Sequence, residues 1–134
     1  MAETTATLSN YRQAPRKVGL IAALLRGKRV EQALIELAVL PKRGSEPMAK
    51  LLRSAVSNAR AKGMNTDELV VSRIEVGKGI VFKRMMPRAR GRGAPIHKKT
   101  SNITLVLSEK ARRKPKIKNQ NEKSRDTNVL FKNL

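Results

Sequence analysis

The most distinctive chemistry of this chain lies in four closely spaced arginines, Arg84, Arg88, Arg90 and Arg92. They stand in the segment 83–99, which holds seven Lys/Arg residues and no acidic residue. A guanidinium group is planar, donates two parallel hydrogen bonds to a phosphate, and stacks on flat ring systems. Because so cationic a segment repels itself, it requires a densely anionic partner. The segment therefore predicts contact with nucleic acid.

Residues for other kinds of chemistry are scarce. His97 is the only histidine and lies inside the cationic segment, and the chain has no cysteine. No two acidic residues are spaced three or four positions apart on a predicted helix, so neither an acid–base pair nor a metal-ligand set is indicated. The sequence Gly77-Lys78-Gly79 lacks the first glycine, the Ser/Thr and the following helix of a phosphate-binding loop. We expect no enzymatic activity, no catalytic residue, no metal site and no cofactor.

The basic segment is flanked by two strand-like stretches. Residues 69–76 and 100–107 are rich in β-branched side chains and alternate in part with a period of two. They predict a β-hairpin arm over about 77–103, with its tip at about 88–93. Gly77 and Gly79 predict a bulge or bend in the first strand. Legs of about 13 residues would reach ~40 Å at ~3.3 Å per residue. Such a ribbon is marginal in water, so we expect it to be mobile alone and ordered when bound.

Three amphipathic helices precede the strands, after a short edge strand over residues 5–10. Pro15 opens the first helix, whose inward residues recur with helical spacing from Val18 to Leu25. The second helix ends before Pro41, and the third runs from an N-cap at Ser45 to about Lys62. These elements predict an α+β fold in which three helices pack on a small antiparallel sheet, as one domain of residues 1–109 that includes the arm.

The net charge of +20 is distributed unevenly. Residues 1–82 carry fourteen Lys/Arg against seven Asp/Glu, whereas residues 83–134 carry sixteen against three. The first helix and its ends form a second basic region without acids. Residues 110–134 are polar and basic and have no sustained periodicity, which predicts a tail that is disordered or folds on RNA.

Composition also limits the mode of binding. Tyr11, Phe82 and Phe131 are the only aromatic residues, which argues against reading single-stranded bases on an aromatic platform. Recognition of backbone and shape remains, either by a DNA-architectural protein with a β-arm in the minor groove or by a protein whose arm threads folded RNA. The longest apolar stretch, residues 20–25, is too short to span a bilayer, and no secretory signal opens the chain.

Five motifs distinguish between these alternatives. They are APRKV at 14–18, LLRGKRVEQAL at 24–34, SAVSNA at 54–59, FKRMMPRARGR at 82–92 and KTSNIT at 99–104. Together they closely resemble the family of bacterial large-subunit ribosomal proteins numbered twenty-two, over roughly residues 5–109. The chain departs from the usual family pattern at Gly19, at 60–62, at Gly93 and at Asn102, where that family commonly has histidine. The tail from Lys110 has no counterpart in its short members.

The resemblance implies a structural constituent of the large ribosomal subunit, located in the cytoplasm within the ribosome, that supports subunit assembly. Its implied partners are ribosomal RNA, neighbouring ribosomal proteins and, at the hairpin tip, the nascent peptide in the exit tunnel. We expect no membrane association and no self-oligomer. The residues expected to contact ribosomal RNA are Arg12, Arg16, Lys17, Arg26, Lys28, Arg29, Asn58, Arg60, Lys83, Arg84, Arg88, Arg90, Arg92, Lys98 and Lys99. Those expected to line the tunnel are Arg88, Ala89, Arg90, Gly91, Arg92 and Gly93.

Overall fold

The computed structural model describes residues 2–109, so the predicted tail at 110–134 lies outside the described residues. The elements are β1 (Glu3–Tyr11), α1 (Pro15–Leu25), α2 (Val30–Val39), α3 (Ser45–Ala61), β2 (Leu69–Pro87) and β3 (Gly93–Glu109), with short 3-10 turns at Thr66–Glu68 and Ala89–Gly91. The three helices and the three-stranded antiparallel sheet confirm the predicted α+β fold class. None of the described helices is long and apolar enough to cross a membrane.

The sheet places β3 in the centre, between β1 and β2. β1 pairs with β3 from Glu3↔Ser108 as far as Tyr11↔Ser101, whereas β2 remains paired with β3 out to Pro87↔Gly93. Beyond the Lys78↔Ser101 pair, as far as the turn, the sheet therefore consists of β2 and β3 alone. This two-stranded ribbon is the freestanding part of the arm. It spans roughly 25 Å before the turn at ~3.3 Å per residue. It is shorter than the predicted legs because β1 accompanies their first residues.

Two irregularities shift the register between β2 and β3. One lies between Lys78 and Val81 and includes Gly79, as the sequence predicted, whereas Gly77 is paired regularly with Asn102. The other lies between Val71 and Arg73, and no glycine or proline marks it in the sequence. An extra residue in one strand interrupts the alternation of faces, so Val71 and Ile74 are both fully buried.

The hydrophobic core lies between the helices and the sheet. The predicted inward residues of α1, Val18, Ile21, Ala22 and Leu25, are all buried. They belong to one cluster with the inner sides of α2 and α3 and with the body part of the sheet. Of residues 77–99, by contrast, none is buried. Residues 77–99 of the arm therefore add nothing to this core.

The start of α3 differs from its prediction. The helix begins at Ser45, its N-cap is Gly44, and the Ser45 side chain does not cap it. The Ser45 hydroxyl instead donates a hydrogen bond to the Leu40 carbonyl oxygen at 3.0 Å. Ser45 is buried, and there its hydroxyl satisfies a carbonyl of the loop after α2 instead of a helix N–H. Predicting Ser45 as the N-cap was therefore wrong.

Candidate nucleic-acid interface

The arm exposes positive charge along its whole length. Residues 76–108 contain eight Lys/Arg and no Asp or Glu, and no side chain in 77–99 is buried. Lys83 lies on the outgoing leg, paired across the ribbon with His97. Because these side chains cover no core, they remain accessible to an external partner.

The tip is a tight turn between Pro87 and Gly93. The Arg88 N–H donates to the Arg92 carbonyl oxygen at 2.7 Å and closes the loop. Arg90 and Gly91 both have left-handed backbone conformations, with φ of 58° and 67°. A non-glycine residue in this region costs roughly 1–2 kcal/mol. The turn brings together the six residues expected at the tunnel, namely Arg88, Ala89, Arg90, Gly91, Arg92 and Gly93.

Three consecutive residues of β3 fix the root of the arm. The Thr100 hydroxyl donates to the Ile80 carbonyl oxygen at 2.7 Å, within the register shift between Lys78 and Val81. The Ser101 hydroxyl donates to the carbonyl oxygen of Gln13, just before α1. The Asn102 side-chain oxygen accepts a hydrogen bond from a backbone N–H of β1. Since Thr100 and Ser101 are almost completely buried, these bonds couple the direction of the arm to the body.

A concave pocket opens where the arm leaves the body, and we call it the junction pocket. It is lined by Arg12, Gln13, Ala14, Lys17, Arg43, Phe82, Arg84, Lys98, Lys99 and Thr100, and it encloses about 570 Å³. Six of these residues are cationic and none is acidic. The guanidinium carbons of Arg12 and Arg84 lie 5.6 and 6.0 Å from the centroid of the Phe82 ring, within the range of cation–π attraction.

Five of the predicted contact residues meet in this pocket. Arg12 comes from the connection between β1 and α1, and Lys17 from the first turn of α1. Arg84 comes from β2, and Lys98 and Lys99 come from β3. Like charges brought this close raise the local positive potential and attract an anion. The pocket joins the basic surface of the body to the basic arm.

Two other lining residues, Arg43 and Phe82, were missed by sequence reasoning. Arg43 lies in the loop before α3, and it is absent from the residues that the sequence predicted to contact RNA. Phe82 lay within a family motif and directly beside the basic segment. An aromatic residue at the edge of a cationic run was the available signal for a binding role.

Three predicted contact residues of the body have hydrogen-bond or ion-pair partners inside the protein. The Arg26 guanidinium donates to the Ile74 carbonyl oxygen at 3.1 Å, and the Lys28 ammonium lies 2.5 Å from the Glu36 carboxylate. The Asn58 side-chain amide donates to the Thr5 carbonyl oxygen at 3.1 Å. These contacts link helices to the sheet and to each other, so they give the three side chains a structural role in the body. The remaining predicted body residues, Arg16, Arg29 and Arg60, are exposed.

The acidic residues of the described part lie on the body. Glu46 pairs with Lys50 at 2.8 Å on α3, and the hydrogen bond from this ammonium lowers the pKa of the Glu46 carboxyl. Arg73 and Glu75 form another pair at 3.2 Å on β2. Residues 2–109 contain no group of three or more His, Cys, Asp or Glu side chains that could hold a metal ion. No acidic side chain of the arm offsets its positive charge.

Comparison with known proteins gives one consistent result. A family model described as ribosomal protein L22p/L17e matches residues 6–108. The large ribosomal subunit protein uL22 of Trichlorobacter lovleyi is 48% identical over 108 residues, which are 80% of this chain and 96% of that protein. The proteins of the same name from Maricaulis maris and Desulfosudis oleivorans are 48% and 44% identical and cover 80% and 83% of this chain, and 86% and 97% of their own lengths. The matched residues include both the body and the arm.

Proposed function

The chain belongs to the ribosomal protein L22p/L17e family, and on this basis we propose that its arm is inserted into the ribosomal RNA of the large subunit. Proteins of this family are structural, non-enzymatic constituents of the large ribosomal subunit. The predicted family, structural role and ribosomal location are thereby confirmed. Family membership does not favour the DNA-architectural alternative.

The observation that carries the proposal is the exposed, acid-free arm rooted in a folded body. The arm has eight cationic side chains and no core of its own. It is stabilised when RNA phosphates neutralise these charges and so remove their mutual repulsion. The buried hydrogen bonds of Thr100 and Ser101 set the angle at which it leaves the body. When the body is bound to the RNA surface, this fixed angle can therefore direct the arm into the ribosomal RNA.

The basic residues divide into three regions in this proposal. Arg16, Arg29 and Arg60 anchor the outer surface of the body, and the junction pocket holds RNA at the arm's root. Lys83 and the neighbouring cations follow the RNA backbone along the ribbon. Phosphate contacts of this kind fix position and orientation without reading sequence. In this proposal, neighbouring ribosomal proteins contact the parts of the body surface that RNA does not cover.

The tip reaches furthest from the body, and we assign it to the wall of the nascent-peptide exit tunnel. Its five-residue turn is narrow, and Gly91 has no side chain. Backbone can therefore approach RNA or a passing peptide closely there. The left-handed turn at Arg90 and Gly91 holds a compact end on the ribbon.

Sedimentation of a tagged form of the full chain tests the proposed function. The protein should co-migrate with large ribosomal subunits, and digestion of the RNA should release it. A variant with Arg16, Lys17, Arg29 and Arg60 all changed to Gln should be incorporated poorly, because each charge-assisted hydrogen bond to RNA contributes ~1.5–3 kcal/mol. Migration of the unmodified protein as free protein, or with DNA, would contradict the proposal.

A further inference from the structure

Phe82 occupies an unusual position for the only aromatic side chain on the arm. It lies on β2 in the freestanding ribbon, is half-buried, and belongs neither to the core nor to the side chains packed against it. The guanidinium groups of Arg12 and Arg84 lie over its ring. Packing of the body therefore does not account for a phenyl ring at this position.

The junction pocket combines the two features that an unstacked nucleotide needs. The Phe82 ring and the guanidinium groups beside it are flat surfaces on which a base can stack. The lysines at 17, 98 and 99 and Arg43 supply positive charge for the flanking phosphates. The volume of about 570 Å³ falls within the ~300–1,000 Å³ typical of sites for small organic ligands.

We propose that the junction pocket binds a single unpaired nucleotide of RNA, whose base stacks against Phe82 between the cations of the body and those of the arm. A base inserted here would bridge α1, the loop before α3 and both strands of the ribbon, and so fix the arm's root to the RNA. This inference rests on the proposed function, since it names the part of the RNA that one site recognises. A paired base is held within its helix and cannot enter the pocket.

Binding of a short RNA probe tests the inference on the full chain. The probe is a decamer with 2-aminopurine at its centre, used as a single strand and annealed to its complement. Phe82→Leu should weaken binding of the single strand roughly 5- to 150-fold, the range for loss of one base–aromatic stack. It should leave duplex binding within about twofold, because phosphate contacts dominate there. Phe82→Tyr retains the ring and should restore single-strand binding.

Ile80→Leu is the matched control. It also changes one apolar side chain of β2 to leucine, but Ile80 is 58% exposed and does not line the pocket. Single-strand binding by Phe82→Leu equal to that of the unmodified protein would overturn the inference, as would an equal loss on both probes or an equal loss with Ile80→Leu. Thermal unfolding of each variant verifies that it is folded. Co-migration with large subunits is a separate measurement. If the protein co-migrates but the decamer results contradict the inference, only the assignment of the junction pocket is wrong, and the proposed function stands.

Discussion

The side-chain oxygen of Asn102 accepts a hydrogen bond from the backbone N–H of Asn10 at 2.8 Å. Asn10 has a left-handed conformation, φ 54°, at the register shift where β1 leaves the sheet. The contact therefore holds the end of β1 against β3, the strand that continues into the arm. The Asn102 amide thus serves as a structural acceptor at the root of the arm.

Replacing Asn102 tests whether this contact stabilises the root of the arm. Asn102→Ala removes the acceptor and should lower the free energy of unfolding by about 0.5–1.5 kcal/mol, the usual net contribution of one hydrogen bond. Asn102→Asp retains an oxygen acceptor and should lose less. Urea denaturation of the three proteins provides the measurement. Equal stability of Asn102→Ala and the unmodified protein would show that the bond does not contribute.

Gly79 should be intolerant of any side chain. A Cβ at this position would overlap the Thr100 hydroxyl and lie 3.3 Å from the Thr100 carbonyl carbon. Thr100 is buried and donates to Ile80, so it cannot move without losing that bond. We expect Gly79→Ala to lower the free energy of unfolding by about 1–3 kcal/mol, as overpacking does.

Gly19→Ala is the control for that experiment. A Cβ at Gly19, in the middle of α1, meets nothing within 4 Å. Alanine in a helix interior is favoured over glycine by roughly 0.5–1 kcal/mol, so this variant should be more stable than the unmodified protein. The same denaturation assay should therefore give opposite signs for the two substitutions. A loss of the same size at both positions would contradict the assignment of Gly79 to a crowded bulge.

The body should fold without the outer arm. Residues 84–96 contain no buried side chain, and they carry four arginines whose mutual repulsion is removed with them. Replacing 84–96 with Asn-Gly, a two-residue turn compatible with strand twist, should preserve cooperative thermal unfolding at an equal or higher midpoint. The full-length chain at the same ionic strength is the reference. Loss of the transition would mean that the arm stabilises the body.

Local sequence signals predicted most of the fold but not the pocket. Pro15 and the helical spacing of Val18 to Leu25 located α1, because both signals depend on neighbours in the chain. The register shift at Ser72 has no such signal, since it is set by tertiary packing that buries Val71 and Ile74 together. Arg43 and Phe82 meet only after the fold brings the loop before α3 to the arm.

The same distinction explains the outcome for the candidate contact residues. Residue type and family motif selected Arg26 and Lys28 as cations, yet their partners Ile74 and Glu36 could not be inferred from charge alone. The arginines of the arm were easier to interpret, because residues 76–108 contain no acidic residue that could pair with them in a salt bridge. Their RNA contacts remain predictions.

The position of the tip inside the large subunit can be measured by cross-linking to a nascent peptide. The sequence has no cysteine, so Ala89→Cys places a single thiol in this protein at the tip, and Ser54→Cys places one on the exposed surface of α3. Ribosomes containing either variant are stalled on a peptide with one cysteine and treated with a short bismaleimide. Ala89→Cys should cross-link to the peptide over a narrow range of peptide lengths, and Ser54→Cys should not. Cross-links from Ser54→Cys at the same peptide lengths, or none from Ala89→Cys at any length, would contradict the placement of the arm in the exit tunnel.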